Sequence, residues 1–392
     1  MSEFRQHFPG QIDVFHLNFI TRVHLLSHDG EHILPYYRSG MGNIGIDTNI
    51  DQCFNTLSGR LTSDEAARAY QATQAALTHY LRDKPVEGLV FMIPSGRHIH
   101  HIAATSLALS RKIKRIYINY SNFPGYTFFD PEGTDCLASI YRDPGILDSL
   151  APTSVDVDAV FSHFAELKRR QKEIPQKADS PLKSRLKRSA FIIDTLLQKL
   201  TRLYGDRRIP MRKPASNQAA PNPLVYEPIP PKGQPFLFFP LQVSTDQQVL
   251  VNFDGGSIYT AIDAAIAHAR AKGIALYVRE HPAEANKQKI REYLQQKAQQ
   301  GELHVTNASV PDLIDSCNEI ITINSTVGLE ARINRRQVKF LGKSFYAKAS
   351  DEQLAVYLQH YFVKVDYHAP RITKEVVSKI ISRQSHQAHY KA

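Results

Sequence analysis

The chain has 392 residues and a formal net charge of +10. That length exceeds what one ordinary core accommodates and predicts two domains. The sequence holds no apolar run near the ~20 residues of a membrane-spanning helix, no apolar signal-peptide core, and only three scattered cysteines. We therefore expect a cytoplasmic protein with neither a disulfide framework nor a zinc pattern. The excess positive charge indicates an anionic partner, which could be nucleic acid, anionic lipid or an acidic sugar nucleotide.

The first half of the chain predicts alternating strands and helices. Residues 11–20 are predicted to form a strand and residues 64–82 a helix. Residues 86–94 form an apolar run typical of a strand buried on both faces, and a helical stretch at 98–111 and a strand at 113–118 follow. This order is a βαβ unit, whose binding loops lie at the carboxyl end of the sheet.

The middle of the chain is basic. Residues 160–204 are predicted to be helical, and residues 210–235 hold eight prolines, which is typical of an extended linker. The charge run and leucine spacing of the helical part fit either a solvated face or contact with an anionic membrane surface. The sequence has no helix-turn-helix, zinc-finger or RNP-like pattern, so we expect no nucleic-acid partner.

The second half resumes the α/β alternation. Ser257 is a suitable N-cap for a helix that Gly273 closes. The predicted strands are 236–243, 274–279, 303–305, 319–323 and 338–341, and the helices between them are 257–272, 285–300 and 310–317.

One candidate binding turn follows the strand predicted at 274–279. The turn consists of Glu280, His281 and Pro282. Proline stops the strand, so His281 is aimed into the crevice where open α/β sheets bind ligands. Its imidazole can bond a phosphate or ribose oxygen there. The alternative is a histidine that only caps the turn.

A second candidate turn contains Asn324, Ser325, Thr326 and Gly328. It supplies hydroxyl groups and the N–H groups of a helix N-terminus, which together favour an anion. The alternative is that Ser325 or Thr326 is only an N-cap. Because Gln242 follows a third strand, the three strand ends together outline a nucleotide pocket.

The first half offers candidates of its own after the strand predicted at 86–94. Arg97 could hold a carboxylate or phosphate through two hydrogen bonds, and His100 could transfer a proton. The spacing of His98, His100 and His101 is poor for zinc, since it lacks the i, i+4 pattern. The alternative is a polar helix start at the domain surface.

Several segments together match the motifs of a known family. They are residues 240–243 with Asp246 and Gln247, residues 278–282, 323–331, 341–346 and 357–362, and, in the first half, Arg97 with His100 and residues 133–144. On these motifs the chain resembles the capsule polysaccharide biosynthesis/export family, most closely its single-domain Kdo transferases of the KpsS (LipB) type. The resemblance covers nearly all of residues 86–368.

The resemblance implies an α/β, GT-B-like fold, in which two Rossmann-type domains face each other across a cleft. It implies a glycosyltransferase that moves the acidic sugar Kdo from CMP-Kdo to a lyso-phosphatidylglycerol primer, or more broadly to a lipid or glycolipid acceptor, in capsular polysaccharide biosynthesis and export. The expected location is the inner face of the bacterial inner membrane, whose anionic surface would suit the basic helix. Capsule assembly proteins are further expected partners. No metal or cofactor is expected beside the CMP-activated donor.

The resemblance also implies roles for individual residues. Transfer of a keto-acid sugar develops positive charge at the anomeric carbon and negative charge on the leaving phosphate, so carboxylates near the first and hydrogen-bond donors near the second are required. The implied nucleotide-binding residues are Gln242, Glu280, His281, Pro282, Asn324, Ser325, Thr326 and Gly328, and the implied catalytic residues are Arg97, His100 and Asp130.

Two positions depart from the family pattern. Ser95 stands where the family usually has an acidic residue, and Asn122 lies where a Glu-Glu-Gly-Tyr-like turn is usual. Asp130, Glu132 or Asp135 could substitute. Three interpretations follow: a Kdo transferase, a catalytically impaired relative that binds nucleotide or glycan in a capsule assembly complex, and a transferase of another CMP-activated nonulosonic acid.

We therefore expect four segments along the chain. The sequence starts inside the helix that follows the family's first strand, so we expect either a truncated chain or a first domain that lacks that strand. The segments are an acceptor-side Rossmann-like domain at 1–159, a basic helical segment with a proline-rich linker at 160–235, a CMP-sugar-binding Rossmann-like domain at 236–346, and C-terminal helices and tail at 347–392.

Overall fold

The computed structural model describes residues 7–8, 10–24, 30–36, 44–150, 155–170, 181–205, 224–231, 233–284, 287–365 and 372–383. These residues form two compact units. The first unit holds the described parts of 1–139, 173–212 and 362–392, and the second holds those of 140–172 and 213–361. Both units combine helices with parallel strands, so the expected α/β class is confirmed.

The first unit begins with short elements around a three-stranded sheet. Up to residue 130 the elements are β1 (Val14–Phe15), α1 (Phe19–His24), β2 (His32–Ile33), α2 (Phe54–Leu57), α3 (Ser63–Tyr80), β3 (Val90–Pro94), α4 (Ile99–Ser110), β4 (Lys114–Tyr120) and β5 (Thr127–Asp130). Strands β3 and β4 pair in parallel and α4 connects them, which confirms the βαβ unit. Strand β5, which the sequence patterns do not reveal, pairs antiparallel with β4.

The N-terminal strand is shorter than predicted. Strand β1 pairs only with β2, in a separate two-stranded sheet, and the prediction of a strand over 11–20 is wrong in its second half. The chain turns into α1 because two side chains cap that helix. Asn18 Oδ1 accepts a hydrogen bond from Thr21 N at 2.8 Å, and Asp194 Oδ1 accepts one from Phe19 N at 2.8 Å.

The basic middle of the chain contributes helices to both units. They are α5 (Ser139–Arg142), α6 (Val157–Arg170) and α7 (Pro181–Thr201). The predicted helical character of 160–204 is confirmed for residues 160–170 and 181–201, whereas residues 202–204 leave the helix. Residues 171–180 and the part of the proline-rich linker at 210–223 lie outside the described residues. Among the described residues, no helix is long and apolar enough to cross a bilayer.

The second unit is built on a five-stranded parallel sheet of order β10-β9-β6-β7-β8. All five strands fall where the sequence predicts them. The elements are β6 (Phe236–Pro240), α8 (Gln247–Leu250), α9 (Ile258–Lys272), β7 (Ala275–Arg279), α10 (Lys287–Gln299), β8 (His304–Val305), α11 (Val310–Ser316), β9 (Glu319–Thr322), α12 (Thr326–Ile333) and β10 (Gln337–Phe340).

Strand β6 is the centre of this sheet, and every one of its residues is buried. Its alternate side chains enter two different cores. Leu237 and Phe239 belong to the core that α9 and α10 cover, whereas Phe236 and Phe238 belong to the core that α11 and α12 cover. A strand buried on both faces needs apolar residues at every position, which is why its sequence is an unbroken apolar run.

The C-terminal part of the chain returns to the first unit. Its elements are α13 (Phe345–Lys348), α14 (Asp351–Val356), a π-helical turn (Tyr357–Tyr361) and α15 (Lys374–Ile381). Beyond the π-helical turn, Thr127 N donates to Val363 O at 2.9 Å and Val363 N donates to Thr127 O at 3.0 Å. Residues 363–365 therefore pair with the edge of β5 that does not face β4.

The two units divide the chain differently from the predicted segments, because the described parts of 140–172 belong to the second unit and those of 173–212 to the first. Helix α6 belongs to the second unit, because Lys168 Nζ lies 3.2 Å from the Glu330 carboxylate and the Arg335 guanidinium lies 2.5 Å from Asp158. The described residues beyond 361 belong to the first unit. The expectation for the chain start falls on residues 1–6, which lie outside the described residues.

Gly328 gives a direct test of how α12 packs on the sheet. A Cβ atom there would lie 2.6 Å from Phe340 Cε1 and 2.9 Å from Thr322 Cγ2, so α12 would have to move. We expect Gly328→Ala to lower the free energy of unfolding by about 1–3 kcal/mol in urea titrations. Gly45→Ala is the control, because a Cβ there meets nothing within 4 Å. Equal stability of the two variants would contradict this packing.

Candidate functional site

The candidate nucleotide site lies where the connections of the second sheet change direction. From β6 the chain proceeds through β7 to β8 on one side, and then crosses to β9 and β10 on the other. In open α/β sheets, ligands bind in the crevice at the carboxyl ends of the two strands that flank such a switch point. Those strands are β6 and β9, followed by Gln242 and Asn324, and the turn with His281 follows the neighbouring strand β7.

Gln242 and Asn324 hold the two switch-point loops together. Gln242 Nε2 donates to Asn324 Oδ1 at 3.0 Å, and Asn324 N donates to Gln242 Oε1 at 3.3 Å. Asn324 Nδ2 also lies 3.3 Å from the carbonyl oxygen of Gln248 and 3.5 Å from that of Lys343. Both amides are at most 9% exposed. They therefore form the floor of the site and position its loops.

Helix α12 begins at this floor and directs its N-terminus toward the carboxyl end of the sheet. Ser325 is the N-cap, and its Oγ accepts a hydrogen bond from Val327 N at 3.2 Å. Thr326 is the first helical residue and is half-buried. The partial positive charge of the helix N-terminus stabilises an anion bound there. Gly328 lies in the first turn of α12 and packs against β9 and β10, so its role is to allow close packing of the helix on the sheet.

His281 is a half-buried hydrogen-bond donor beside this site. Its Nδ1 accepts a hydrogen bond from Ala283 N at 3.2 Å, which assigns the proton of the neutral ring to Nε2. Burial lowers the pKa of His281, although the carboxylates of Asp246 and Glu284 oppose the shift. The ring is therefore neutral near pH 7, and Nε2–H can donate to a phosphate or ribose oxygen.

The other two residues of this turn have structural contacts. The Glu280 carboxylate accepts hydrogen bonds from Arg291 Nε at 2.9 Å and from Tyr226 Oη at 3.0 Å. These bonds tie the extended segment 224–231 to α10 and raise the pKa of Arg291. Pro282, the residue after His281 in this turn, is exposed. Because its carboxylate already binds Arg291 and Tyr226, Glu280 suits the expected nucleotide-binding role less well than His281 does.

Sequence reasoning missed Glu284, which joins the loops after β6 and β7. Ser244 N donates to Glu284 Oε2 at 2.7 Å, and Ser244 Oγ donates to Glu284 Oε1 at 3.0 Å. The carboxylate is 5% exposed and adds to the field around His281. A single sequence gives no signal for a contact that spans 40 residues between two loops.

In the first unit, the turn after β3 is conformationally unusual. Ser95 has φ 54° and Gly96 has φ 76°, both in the left-handed region. A non-glycine residue costs about 1–3 kcal/mol in such a conformation, and this strain is concentrated at functional sites. Ser95 Oγ lies 3.4 Å from His101 Nδ1, and burial, reinforced by His98 and His100, holds the pKa of His101 well below its ordinary value. His101 is thus a neutral ring beside the turn.

Arg97 and His100 occupy different environments. Arg97 Nη2 donates to Cys136 Sγ at 2.8 Å, which joins the turn to the loop at 130–139. His100 is 2% exposed and packs between α3 and α4, where its Nδ1 lies 2.9 Å from Thr73 Oγ1. Since Thr73 Oγ1 donates to Ala69 O at 2.7 Å, Nδ1 carries the proton of the ring. This burial favours a positioning role for His100 over the expected proton transfer.

Asp130 forms contacts within its own loop. Its carboxylate is fully buried and accepts hydrogen bonds from Glu132 N at 2.7 Å, Gly133 N at 2.9 Å, Ser139 N at 2.9 Å and Ser139 Oγ at 2.7 Å. These bonds close the loop 130–139 on itself. Because its oxygens already accept bonds from backbone and hydroxyl donors, these contacts favour a role for Asp130 in organising the loop over the expected catalytic role.

Asp135 is the acidic residue that this loop brings to the turn after β3. Thr134 Oγ1 donates to the carbonyl oxygen of Ser95 at 2.6 Å and lies 3.3 Å from Asp135 Oδ2. Asp135 has φ 54°, the same left-handed conformation as Ser95. Through Thr134, the loop thus links the backbone of Ser95 to the Asp135 carboxylate. Within the described ranges, no group of three or more His, Cys, Asp or Glu could hold a metal ion.

Comparison with known proteins finds a family that part of the second unit resembles. Residues 217–355 match the model of the family described as capsule polysaccharide biosynthesis protein. This segment contains β6, β7, β9 and their loops. These residues are therefore similar to the capsule polysaccharide biosynthesis family, and the resemblance inferred from the motifs is confirmed over this segment.

Similar solved structures come from two organisms. Thermosulfurimonas dismutans KpsC, beta Kdo 2,7 transferase, is 14% identical, with a TM-score of 0.39 over 79% of this chain and 89% of that chain. Its beta Kdo 2,4 transferase is 14% identical, with a TM-score of 0.36 over 69% and 79%. Methanocaldococcus jannaschii UDP-GlcNAc 2-epimerase in complex with UDP-GlcNAc and UDP is 10% identical, with a TM-score of 0.29 over 91% and 92%. No curated protein matches the chain.

The contrast between Asp130 and Asp135 can be measured. We expect Asp130→Asn to lower the free energy of unfolding by about 2–4 kcal/mol, because it removes a buried charged acceptor from backbone donors. Asp135→Asn should change it by less than about 1 kcal/mol, since asparagine also tolerates the left-handed conformation. Urea denaturation of both variants makes the comparison, and an equal loss for the two would refute the structural role of Asp130.

Proposed function

We propose that the chain is a glycosyltransferase that moves an acidic sugar, Kdo, from its CMP-activated donor to a lipid or glycolipid acceptor during capsular polysaccharide biosynthesis. The observation that carries the proposal is the switch-point site of β6 and β9, inside the segment that matches the capsule family. The choice of CMP and of Kdo rests on the sequence motifs around His281 and Ser325.

The proposed donor site uses groups that suit a nucleoside monophosphate ester. The N-terminus of α12 favours the phosphate through its partial positive charge, and the Thr326 hydroxyl lies at that same end. His281 Nε2–H donates to a phosphate or ribose oxygen, and its neutral form keeps this donor available around pH 7. Gln242 and Asn324 support the site by fixing the loops.

The proposed reaction exchanges one bond for another at the anomeric carbon. The bond from that carbon to the CMP phosphate oxygen breaks, and a bond to the acceptor hydroxyl oxygen forms. The hydroxyl proton passes to a carboxylate, for which Asp135 is the candidate, and CMP leaves with the bonding electrons. The increased negative charge on CMP is what a helix N-terminus and an N–H donor stabilise.

Nucleotide binding tests the donor half of the proposal. We expect CMP to bind the full chain in isothermal titration calorimetry, and His281→Ala to weaken binding about tenfold to a hundredfold, the worth of one hydrogen bond to a charged group. His163→Ala is the matched control, because His163 is exposed on α6. No binding of CMP, or equal binding by wild type and His281→Ala, would remove the basis of the proposal.

Turnover tests the transfer half. The protein is incubated with CMP-Kdo or CMP-sialic acid, with and without a lipid acceptor, while CMP release and product mass are followed. We expect acceptor-dependent release from CMP-Kdo, and a loss of at least about a hundredfold in Asp135→Asn with CMP binding unchanged. Release only from CMP-sialic acid would identify another donor sugar. CMP binding without turnover of either donor would support a non-catalytic nucleotide-binding component.

A further inference from the structure

Five large apolar side chains in the described part of helix α7 are exposed. Residues spaced at i, i+1, i+4, i+5 and i+8 lie on one face of a helix. The exposed fractions on this face are 45% for Ile192, 58% for Ile193, 55% for Leu196, 42% for Leu197 and 81% for Leu200. We call these five residues the apolar face of α7.

The side of α7 that packs on the first unit is polar instead. Asp194 and Gln198 are 3% and 0% exposed. Gln198 Nε2 donates to Asp194 Oδ2 at 2.7 Å, and Asp194 Oδ1 accepts the hydrogen bond from Phe19 N that caps α1. Rotating α7 to bury its leucines would break these bonds and expose the start of α1. The outward direction of the apolar face is therefore fixed by specific hydrogen bonds.

The chain just after α7 is fixed as well. Tyr204 N donates to Pro35 O at 3.0 Å, and a Cβ atom on Gly205 would lie 1.8 Å from the carbonyl oxygen of Leu17. Leu203 is fully buried and forms a β-bridge with Tyr36. The helix is thus held at its end, and an exposed face of five large apolar residues on a rigid support indicates an interaction surface.

The charges of this region indicate what covers that surface. Residues 181–213 contain ten lysines and arginines against two aspartates, and one of the aspartates is the buried Asp194. Lys199 and Arg202, which flank Leu200 closely in the sequence, are exposed. An apolar stripe accompanied by basic residues, on a helix that does not span a bilayer, is typical of a helix lying in the interface of an anionic membrane.

We propose that α7 binds the surface of an anionic lipid bilayer. The apolar face lies among the upper acyl chains, and the basic residues contact the phosphates of the headgroups. The bilayer is inferred from α7 and its surroundings and does not depend on the proposed glycosyltransferase activity. If that activity is also present, it takes place at this membrane surface.

Binding to vesicles tests the proposal with the full-length protein. Sedimentation compares vesicles of phosphatidylcholine alone with vesicles that also contain phosphatidylglycerol. We expect binding to the anionic vesicles at least tenfold tighter than to the neutral ones, and weaker as salt is added. Lys199→Gln with Arg202→Gln should reduce binding to the anionic vesicles severalfold.

The apolar contribution is tested by Ile193→Ser with Leu200→Ser. We expect at least tenfold weaker binding to anionic vesicles, because two side chains no longer enter the acyl region. The matched control is Leu109→Ser with Val225→Ser, two apolar residues that are 44% and 78% exposed elsewhere, and it should bind as wild type. CMP titration of the same variants, with an unchanged result, separates this proposal from the nucleotide site.

Three results would overturn the proposal. The first is a wild-type protein that does not bind the anionic vesicles, and the second is an Ile193→Ser, Leu200→Ser variant that binds them as tightly as wild type. The third is a dimer, seen by analytical ultracentrifugation, that this variant abolishes while vesicle binding persists. That last result would assign the apolar face to a second copy of the chain.

Discussion

The parallel pairing of β6 with β7 on one side and with β9 on the other is the constraint on which the second unit depends. Because the three strands are parallel, their following loops emerge at one end of the sheet. Because the chain crosses from β8 to β9 past β6, the two central loops separate and leave a crevice. The amide pair of Gln242 and Asn324 then closes the bottom of this crevice, and helix α12 brings its positive end to it.

Much of the second unit could be predicted because its central strands β6, β7 and β9 are mostly buried. Such strands are unbroken apolar runs, and proline, glycine or polar turn residues mark their ends. The turns at His281 and Ser325 were predictable for the same reason, since they follow those runs directly. The pairs Gln242–Asn324 and Ser244–Glu284 were not, because their partners are 82 and 40 residues apart and only the strand order brings them together.

The first unit was harder to predict for physical reasons. Its strands β1 and β2 contain two residues each, too few for a periodic pattern, and β5 is an antiparallel addition. Asp130 shows the limit most clearly, because an acidic residue in a loop has the same sequence signature whether it reacts or accepts backbone hydrogen bonds. Burial decides between the two, and it placed Asp130 inside the loop and Asp135 beside the strained turn at Ser95.

The return of the chain to the first unit at Val363 has a consequence for biosynthesis. The second unit is complete once residue 361 has left the ribosome, whereas the edge of β5 acquires its partner only when residues 363–365 emerge. The second unit is therefore completely synthesised before the first, although the first unit begins earlier in the sequence. Until then β5 has an open edge, which is a site where nascent chains aggregate. Residues 363–365 thus complete the edge of a sheet whose other strands are synthesised more than two hundred residues earlier.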